Sequence, residues 1–299
     1  MARKIKTRKT PEERRAQAET LQASIADQVE QLRGSDQWVR FLEFAQSFHH
    51  YSLNNLLLIL SQQPTATHVA GFRQWQAKGR QVRKGERAIR IFGFAQKKAT
   101  GEEAPAEATE TDDSGARLVT YFPVLSVFDI GQTDPIDPEA EDPSTLAPRL
   151  TGDEPLGILA AVTDYLTGQG WTVERETISG KVNGYTTMDG SRRVVIDANL
   201  SPAQAAKTAM HEAAHVILHA EEERAEYVEH QGVKETEAES VAYVVAGLIG
   251  LDTSSYSIGY VAGWSHGDAE TIKATAGRVL KAAHALADAI TEPAQTEAA

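Results

Sequence analysis

The spacing of apolar residues divides the chain into a helical start, a strand-rich middle and a second helical half. In the first part, apolar positions three and four apart predict helices, and short runs rich in β-branched and aromatic residues predict strands. The predicted elements of this part are helices over 11–31, 36–49 and 56–61 and strands over 67–72, 88–96 and 117–129. Mixed elements in this order indicate an α+β domain, which we place at residues 1–133.

The second part repeats the mixture, with longer helices. Ser201 and Pro202 form a helix start, because a hydroxyl caps free backbone N–H groups and proline fits the first helical position. The other predicted elements are a helix over 156–167, strands over 171–175, 184–188 and 192–196, and helices over 234–248 and 269–290. We place a second α+β domain at residues 156–290.

Three stretches lack an apolar period. Residues 100–115 are rich in Ala, Glu, Thr and Asp without aromatics, a composition that predicts a disordered insertion. Residues 134–155 combine prolines with acids and predict an extended linker. The acidic end, 291–299, is expected to be a disordered tail.

Charge is distributed unevenly between the two halves. The whole chain has a formal net charge of −12, but residues 1–98 hold 18 Lys and Arg against 8 Asp and Glu. The remainder holds 12 basic and 34 acidic residues. This asymmetry predicts two modules with different partners. The partner of the first, basic module is expected to be a polyanion.

Cysteine and long apolar segments are both missing from the sequence. Without cysteine, disulfides, thiol nucleophiles and Cys-ligated zinc are excluded. The longest apolar run, 241–251, is too short to cross a membrane, and the basic amino terminus lacks the apolar stretch of a signal peptide. We therefore expect a cytoplasmic protein with no membrane partner.

The strongest chemical signal is His211-Glu212-Ala213-Ala214-His215. Inside a helix, His211 and His215 share one face, so that both imidazoles can bind one zinc ion, or another divalent metal, beside Glu212. Catalytic zinc takes three protein ligands and leaves a position for water. Glu212 would then accept the water proton and pass it to the leaving amine.

The helix that follows can supply the third ligand. Its layout resembles that of the gluzincin metallopeptidases, in which a glutamate ligand is followed one turn later by an acidic residue that orients a histidine. The resemblance implies Glu235 as the ligand and Glu239 as the orienting residue; a shift of one turn, with Glu239 as the ligand, stays open. Glu237 is expected to be solvated. The resemblance also implies an edge strand for substrate pairing, for which 192–198 is the candidate. Candidates for stabilising the oxyanion are Tyr256, Tyr260 and His266.

The first domain contains a segment in which cations alternate with aromatic residues. Phosphates need cations and unpaired bases need flat surfaces, so this composition predicts binding of single-stranded nucleic acid. A solvated basic face over an ordinary aromatic core, or an acidic protein partner, is the competing interpretation. The candidate binding residues are Arg73, Trp75, Lys78, Arg80, Arg83, Lys84, Arg87 and Arg90.

Several motifs resemble a known family. The stretches Tyr51 to Leu58, Gly71 to Trp75 and Gln81 to Arg87, of which Val-Arg-Lys-Gly-Glu is the most distinctive, are similar to the first domain of ArdC-type antirestriction proteins. The similarity continues through Val127 to Asp129, Gln132-Thr133 and Tyr260 to Trp264. The resemblance implies a single-stranded-DNA-binding domain joined to a zinc metallopeptidase domain of the ImmA/IrrE kind, in a protein that shields mobile-element DNA from restriction.

Two alternatives remain open. The protein could protect DNA by binding alone, with a peptidase fold that is catalytically silent. It could instead be a peptidase tethered to DNA that cleaves DNA-bound proteins or a repressor. The protein partner expected in either case is an unknown substrate or a component of the host restriction system.

Overall fold

The computed structural model describes residues 10–98, 110–111, 117–137, 157–180, 182–220, 231–251 and 268–291. Helices and strands alternate along the chain, so the predicted α+β class is confirmed. The predicted insertion at 100–115 and the linker at 134–155 lie almost entirely outside the described residues, as do the tail and the candidate oxyanion residues.

The chain forms two compact units, and their boundary differs from the predicted one. The first unit comprises Met1–Asp27 and Leu57–Glu141, and the second comprises Gln28–Leu56 and Asp142–Ala299. Residues 28–56 therefore group with the second unit, although the sequence pattern assigns them to the domain at 1–133.

The first unit is built on short antiparallel strands. Strand β7 lies between β1 and β3, β6 lies between β4 and β5, and β2 pairs with β8. The bounds are α1 Pro11–Gln31, α2 Ser35–Ala45, α3 Leu53–Gln62, β1 Val69–Ala70, α4 Phe72–Ala77, β2 Arg80–Val82, β3 Ile89–Phe92, β4 Ala95–Lys98, β5 Glu110–Thr111, β6 Arg117–Tyr121, β7 Val124–Asp129 and β8 Thr133–Pro135. Helix α2 and the ends of α1 and α3 that adjoin it belong to the second unit.

Helix α4 is absent from the predicted elements and begins at the last residue of the strand predicted over 67–72, of which only Val69–Ala70 forms a strand. The backbone N–H of Gly71 donates to Gln74 Oε1 at 2.8 Å, so the glutamine side chain closes the first turn of the helix. Trp75 then packs into a small core with Ala70, Val82 and Phe128. The β-branched and aromatic pattern could not reveal this helix, because a single capped turn leaves almost no periodic signal.

Asp129 ties the strands of the first unit together at the end of β7. Its carboxylate accepts hydrogen bonds from the backbone N–H groups of Thr67 at 2.9 Å, His68 at 3.1 Å and Gly131 at 2.8 Å. Gln132 accepts from the Asp129 N–H at 2.9 Å and is itself buried. The Val-Phe-Asp and Gln-Thr motifs are thus part of the framework of this unit.

The second unit packs helices against a small mixed sheet. In that sheet β11 lies between β9, to which it is parallel, and β10, to which it is antiparallel. The bounds are α5 Ile158–Gly168, β9 Thr172–Glu176, β10 Gly184–Thr186, β11 Arg193–Asp197, α6 Pro202–His219, α7 Gln231–Leu248 and α8 Ala269–Ile290. Among the described helices, none has the length and apolar character required to cross a membrane.

Helix α2 joins the second unit through aromatic packing against α7. Trp38 is buried, and its indole N–H donates to Ser240 Oγ at 3.1 Å. The side chain of Gln46 donates to the carbonyl of Tyr243 at 3.2 Å. These contacts with a distant part of the chain explain why residues 28–56 group with the second unit.

Candidate metal centre and nucleic-acid face

Helix α6 brings the two motif histidines onto one face. The predicted start of this helix is confirmed, since Ser201 Oγ accepts from the N–H of Gln204 at 3.3 Å and Pro202 occupies the first turn. The Nε2 atoms of His211 and His215 lie 3.1 Å apart. His215 is buried and His211 is partly buried, so their nitrogens are shielded from bulk water.

Helix α7 places Glu235 beside both histidines. Its Oε2 lies 3.4 Å from His211 Nε2 and 3.6 Å from His215 Nε2. Two ligand atoms that are each about 2.1 Å from a tetrahedral zinc ion lie about 3.4 Å apart. The separations of these donor atoms match the edges of such a coordination shell, so the residues fit a zinc ion or a similar divalent metal.

Glu239 approaches the other ring nitrogen of His211. Its Oε2 lies 3.2 Å from His211 Nδ1, and its Oε1 lies 3.1 Å from Lys207 Nζ. A carboxylate at this nitrogen fixes the tautomer and orientation of a metal-binding imidazole. Glu235 and Glu239 therefore occupy different positions around the same histidine, one on each ring nitrogen.

Ion pairing changes the pKa values of the histidine and glutamate side chains. Burial alone would lower the pKa of His211, but hydrogen bonds to Glu235 and Glu239 outweigh it and raise that pKa to about 9. Hydrogen bonds to His211 and His215 hold the pKa of Glu235 well below its usual range. A metal cation bound between these groups would neutralise the same carboxylate charge that the proton on His211 neutralises.

Glu212 lies on the same helix and is 4 % exposed. Burial raises the pKa of Glu212, although the neighbouring His215 and His211 and a hydrogen bond from Thr186 counteract the increase. Thr186 Oγ1 donates to Glu212 Oε2 at 2.7 Å. Gly184 also lies near this carboxylate, because a Cβ added to it would be 3.3 Å from Glu212 Oε1 and 2.9 Å from the carbonyl oxygen of Val195.

The strand beside Glu212 is β10, and the predicted edge strand is wrong. Residues 192–198 were expected to be the edge, but β11 lies in the middle of the sheet. Among the described strands, β10 is the edge on the side of the metal centre, and Thr186 at its end contacts Glu212. Alternation of apolar residues indicates a strand but not its order in the sheet.

Glu237 is buried, contrary to the prediction that it is solvated. Its carboxylate accepts hydrogen bonds from the Arg278 guanidinium, and its Oε2 lies 3.6 Å from His219 Nε2. His219 is 1 % exposed. Burial, followed by the nearby His215 and Lys234, lowers the pKa of His219 to about 4. This cluster fastens α6 to α7 and α8.

Two of the predicted nucleic-acid-binding residues serve the framework instead. Trp75 is buried, and its indole N–H donates to the carbonyl of Phe128 at 2.8 Å. Arg80 is also buried, and its guanidinium donates to Thr133 Oγ1 at 2.7 Å. A buried indole cannot stack on a base, and a buried guanidinium cannot reach a phosphate. Trp75 and Arg80 are therefore corrections to the predicted set, because residue type does not reveal burial.

The remaining predicted cations are exposed or partly exposed. Arg73, Lys84 and Arg87 are exposed. Lys78 Nζ lies 5.9 Å from the centre of the Trp75 ring. Arg83 pairs with Glu86 at 2.9 Å and with Asp134 at 3.3 Å, and Arg90 donates to Ser126 Oγ.

A cavity of about 650 Å³ lies beside the exposed cations. Phe72 lines it together with Arg83 and Lys84, and Phe72 is 42 % exposed. An aromatic ring and two cations therefore share one concave surface of the first unit with Glu86 and Asp134, the two acids that pair with Arg83.

Exposed aromatic residues also lie where β3 and β7 continue into β4 and β6. Phe94 and Phe122 are 68 % and 62 % exposed, and their rings pack edge to face at 6.2 Å. Sequence reasoning omitted this pair from the candidate residues. The sequence does contain a signal for this pair: Phe94 follows Gly93 and Phe122 precedes Pro123, and glycine and proline interrupt the strand pattern at both places.

Comparison with known proteins gives matches to both halves of the chain. Residues 15–128 match the N-terminal domain of anti-restriction factor ArdC, and residues 170–246 match the IrrE N-terminal-like domain of peptidase family M78. An uncharacterized Bacillus anthracis protein, pXO2-81, is 27% identical over 281 residues, which cover 83% of this chain and 46% of that protein. The chain thus spans about half the length of this relative.

Two solved structures are similar over most of the chain. The metal-free antirestriction ArdC protein from plasmid R388 is 20% identical with a TM-score of 0.45, covering 81% of this chain and 85% of that one. Its Mn(II)-bound structure is 18% identical with a TM-score of 0.47, covering 81% of this chain and 90% of that one. The two domain matches lie in the same order as the two candidate sites, so the chain combines a region that matches the ArdC N-terminal domain with a following region that matches the IrrE-like domain of the M78 peptidase family.

Proposed function

We propose that the IrrE-like domain is a zinc-dependent endopeptidase. The observation that carries this proposal is the set of donor atoms on His211, His215 and Glu235, whose separations of 3.1 to 3.6 Å suit one tetrahedral ion. These residues would hold the metal, and Glu239 would orient His211. When bound, the zinc supplies a water of lowered pKa and polarises the scissile carbonyl.

Glu212 performs the proton transfers in this mechanism. Its buried carboxylate accepts the proton of the attacking water and delivers it to the leaving amine. The Thr186 hydroxyl, 2.7 Å from Oε2, fixes one carboxylate oxygen and leaves Oε1 for the water. An extended substrate pairs with β10, because this strand ends at Thr186 beside the reacting groups.

The second half of the proposal is that the ArdC-like N-terminal domain binds single-stranded DNA. Phe72 offers a face for an unpaired base, and Arg83 and Lys84 at the same cavity attract phosphates. The net positive charge of residues 1–98 supports a polyanionic ligand. Together, the two activities serve the protection of mobile-element DNA from restriction, with a host restriction component as the protein substrate.

A DNA-protecting binder without proteolysis is the second candidate. It is favoured by one observation, namely that the exposed aromatic rings and cations belong to the first unit, whereas Glu212 and the metal-centre residues belong to the second. The two candidates differ in their need for Glu212, since a metal-holding but inactive fold does not require a general base.

The decisive experiment replaces Glu212 by Gln in the full chain and measures protection of incoming DNA in a restricting host. The peptidase proposal expects zinc to be retained, measured by elemental analysis, and protection to fall to the level of a His211→Ala variant. Full protection by Glu212→Gln would instead establish the binder.

DNA binding is tested on the full chain with a labelled single strand and its duplex across a salt series. Phe72→Ala should weaken single-strand binding by about 5- to 150-fold, because one stacked base contributes about 1–3 kcal/mol. Lys84→Ala should instead make the binding affinity depend less steeply on salt concentration, because one phosphate contact is lost. Arg15→Ala is the control for lost charge, since Arg15 pairs with Glu19 at 2.9 Å on α1. Equal binding of Phe72→Ala and the unchanged protein would refute base stacking at this cavity.

A further inference from the structure

A second group of metal-binding side chains lies in the second unit, outside the peptidase centre. The turn between α2 and α3 carries His49 and His50, and α8 carries Asp288. One potential ligand atom from each of these residues lies within 4.8 Å of the others, and His49 Nε2 is 3.1 Å from Asp288 Oδ1. None of these residues takes part in the proposed peptidase mechanism.

The backbone at His50 is what brings two adjacent imidazoles together. Neighbouring side chains in an extended segment point to opposite sides, but His50 has φ of 73°, in the left-handed region that non-glycine residues disfavour. The chain reverses there, and the rings of His49 and His50 stack at 3.9 Å with 16° between their planes. Strained backbone of this kind is concentrated at functional sites.

Helix α8 contributes another imidazole to the same place. His284 and Asp288 are four residues apart and share one face of the helix. The His284 ring lies 5.2 Å from that of His49 and 6.4 Å from that of His50. Burial, with added repulsion from the neighbouring histidines, lowers the pKa of His49, and of His284 to about 4. Both effects favour the neutral ring in His49 and His284, which is the form that binds metal.

We propose that His49, His50 and Asp288 form a second site for a divalent transition-metal ion, with the ring of His284 beside it. Imidazole nitrogens with one carboxylate are a donor set that suits Zn²⁺, Ni²⁺ or Cu²⁺, and do not suit Mg²⁺ or Ca²⁺. The His49 and Asp288 side chains are 30% and 54% exposed, so an ion has access from solvent. The bound ion clamps the turn between α2 and α3 to α8.

Zinc content of the full chain tests this site. The protein is stripped with a strong chelator, reloaded with Zn²⁺, dialysed against a weak competing chelator and analysed for metal. Asp288→Asn and His50→Gln change exposed side chains and should each lower the zinc content by one ion per chain. His211→Ala should remove a different ion, and the combination of His211→Ala with Asp288→Asn should remove both. His68→Gln, at an exposed histidine of the first unit, is the matched control and should change nothing.

A thermal readout separates a bound ion from an unfolded variant. In the His211→Ala background, Zn²⁺ should raise Tm, and Asp288→Asn should abolish that increase while leaving the metal-free Tm unchanged. Zinc that dialysis removes, or a zinc content that neither Asp288→Asn nor His50→Gln lowers, overturns the second site. Because His211→Ala reports the peptidase centre separately, failure of one site does not imply failure of the other.

Discussion

At the residue scale, the protonation state of Glu212 depends on the hydroxyl group of Thr186. Thr186→Val keeps the side-chain shape but removes the donor that lies 2.7 Å from Oε2. A hydrogen bond to a carboxylate stabilises its ionised form, so loss of this donor should raise the pKa of Glu212 further. A general base must be ionised, and the acidic limb of the pH profile of kcat/KM should therefore move to higher pH.

The measurement uses zinc-loaded protein and casein as a general substrate. Thr172→Val, on the exposed start of β9, is the matched control and should leave the profile unchanged. An unshifted acidic limb in Thr186→Val would mean that Thr186 does not stabilise the ionised carboxylate.

His219 makes stability depend on pH. Its pKa is about 4 in the folded protein and about 6.5 when unfolded, so the unfolded chain binds more protons between these values. The contribution to stability is present in full above about pH 6.5 and is lost as the pH falls toward 4, by at most about 3 kcal/mol. Urea unfolding in EDTA across this range measures the loss. His219→Gln should reduce the slope, and an unchanged slope would contradict the assignment.

The residue scale also shows how far the sequence predicts the site. His211 and His215 follow from helical spacing, whereas Glu235 is implied only by the gluzincin resemblance, which leaves Glu239 open; the structure brings His211, His215 and Glu235 together. Trp75 and Arg80 do not follow, because a cationic or aromatic residue type is equally compatible with a buried framework role. Their hydrogen bonds to Phe128 and Thr133 connect positions more than fifty residues away, and no local pattern contains that information.

At the element scale, the small residue at the start of β10 sets the distance of this strand from α6. A Cβ on Gly184 would lie 2.7 Å from Thr208 Cγ2 and 2.9 Å from the carbonyl of Val195, which is backbone and cannot rotate away. Gly184→Ala should therefore displace β10 and cost about 1–3 kcal/mol. Peptidase activity should fall as well, because the displaced strand carries Thr186.

Chemical unfolding and casein cleavage measure the two effects of Gly184→Ala. Gly168→Ala, at the end of α5, is the matched control, since a Cβ there meets no atom within 4 Å. This control should be neutral or slightly stabilising. If Gly184→Ala had the stability and activity of the unchanged protein, Gly184 would not set the distance between β10 and α6.

Elements with long periodic patterns are those that the sequence predicts well. The sequence predicts the start of α6 and the end of α7 correctly, because the apolar spacing continues over several turns in both helices and α6 also has a capping residue. Helix α4 is missed and β11 is misplaced within its sheet. The start of α4 depends on a side-chain cap from its own Gln74, which apolar spacing does not register, and the central place of β11 depends on its pairing with β10 and β9.

At the scale of the whole molecule, charge and packing divide the chain differently. The basic character of residues 1–98 predicts one module. Packing follows buried apolar area, and residues 28–56 bury their aromatic side chains within the second unit. The family match over 15–128 likewise extends across this boundary. A continuous segment of sequence therefore need not be an independent folding unit.

This division predicts the result of cutting the chain after residue 133. The fragment would keep Trp38, Phe41 and Phe48 but lose α7, whose Ser240 accepts the Trp38 hydrogen bond. Each large apolar side chain that becomes exposed costs about 1.5–3 kcal/mol, so the isolated 1–133 fragment should associate or lose the structure of α2. Hydrogen exchange followed by mass spectrometry measures this directly as lower protection over 35–45 than in the full chain. Trp38→Phe in the full chain removes the hydrogen bond and part of the buried ring but keeps α7 in place, and it should keep most of that protection. Full protection of 35–45 in a monomeric fragment would show that residues 28–56 fold without the second unit, and DNA binding could then be assigned to 1–133 alone.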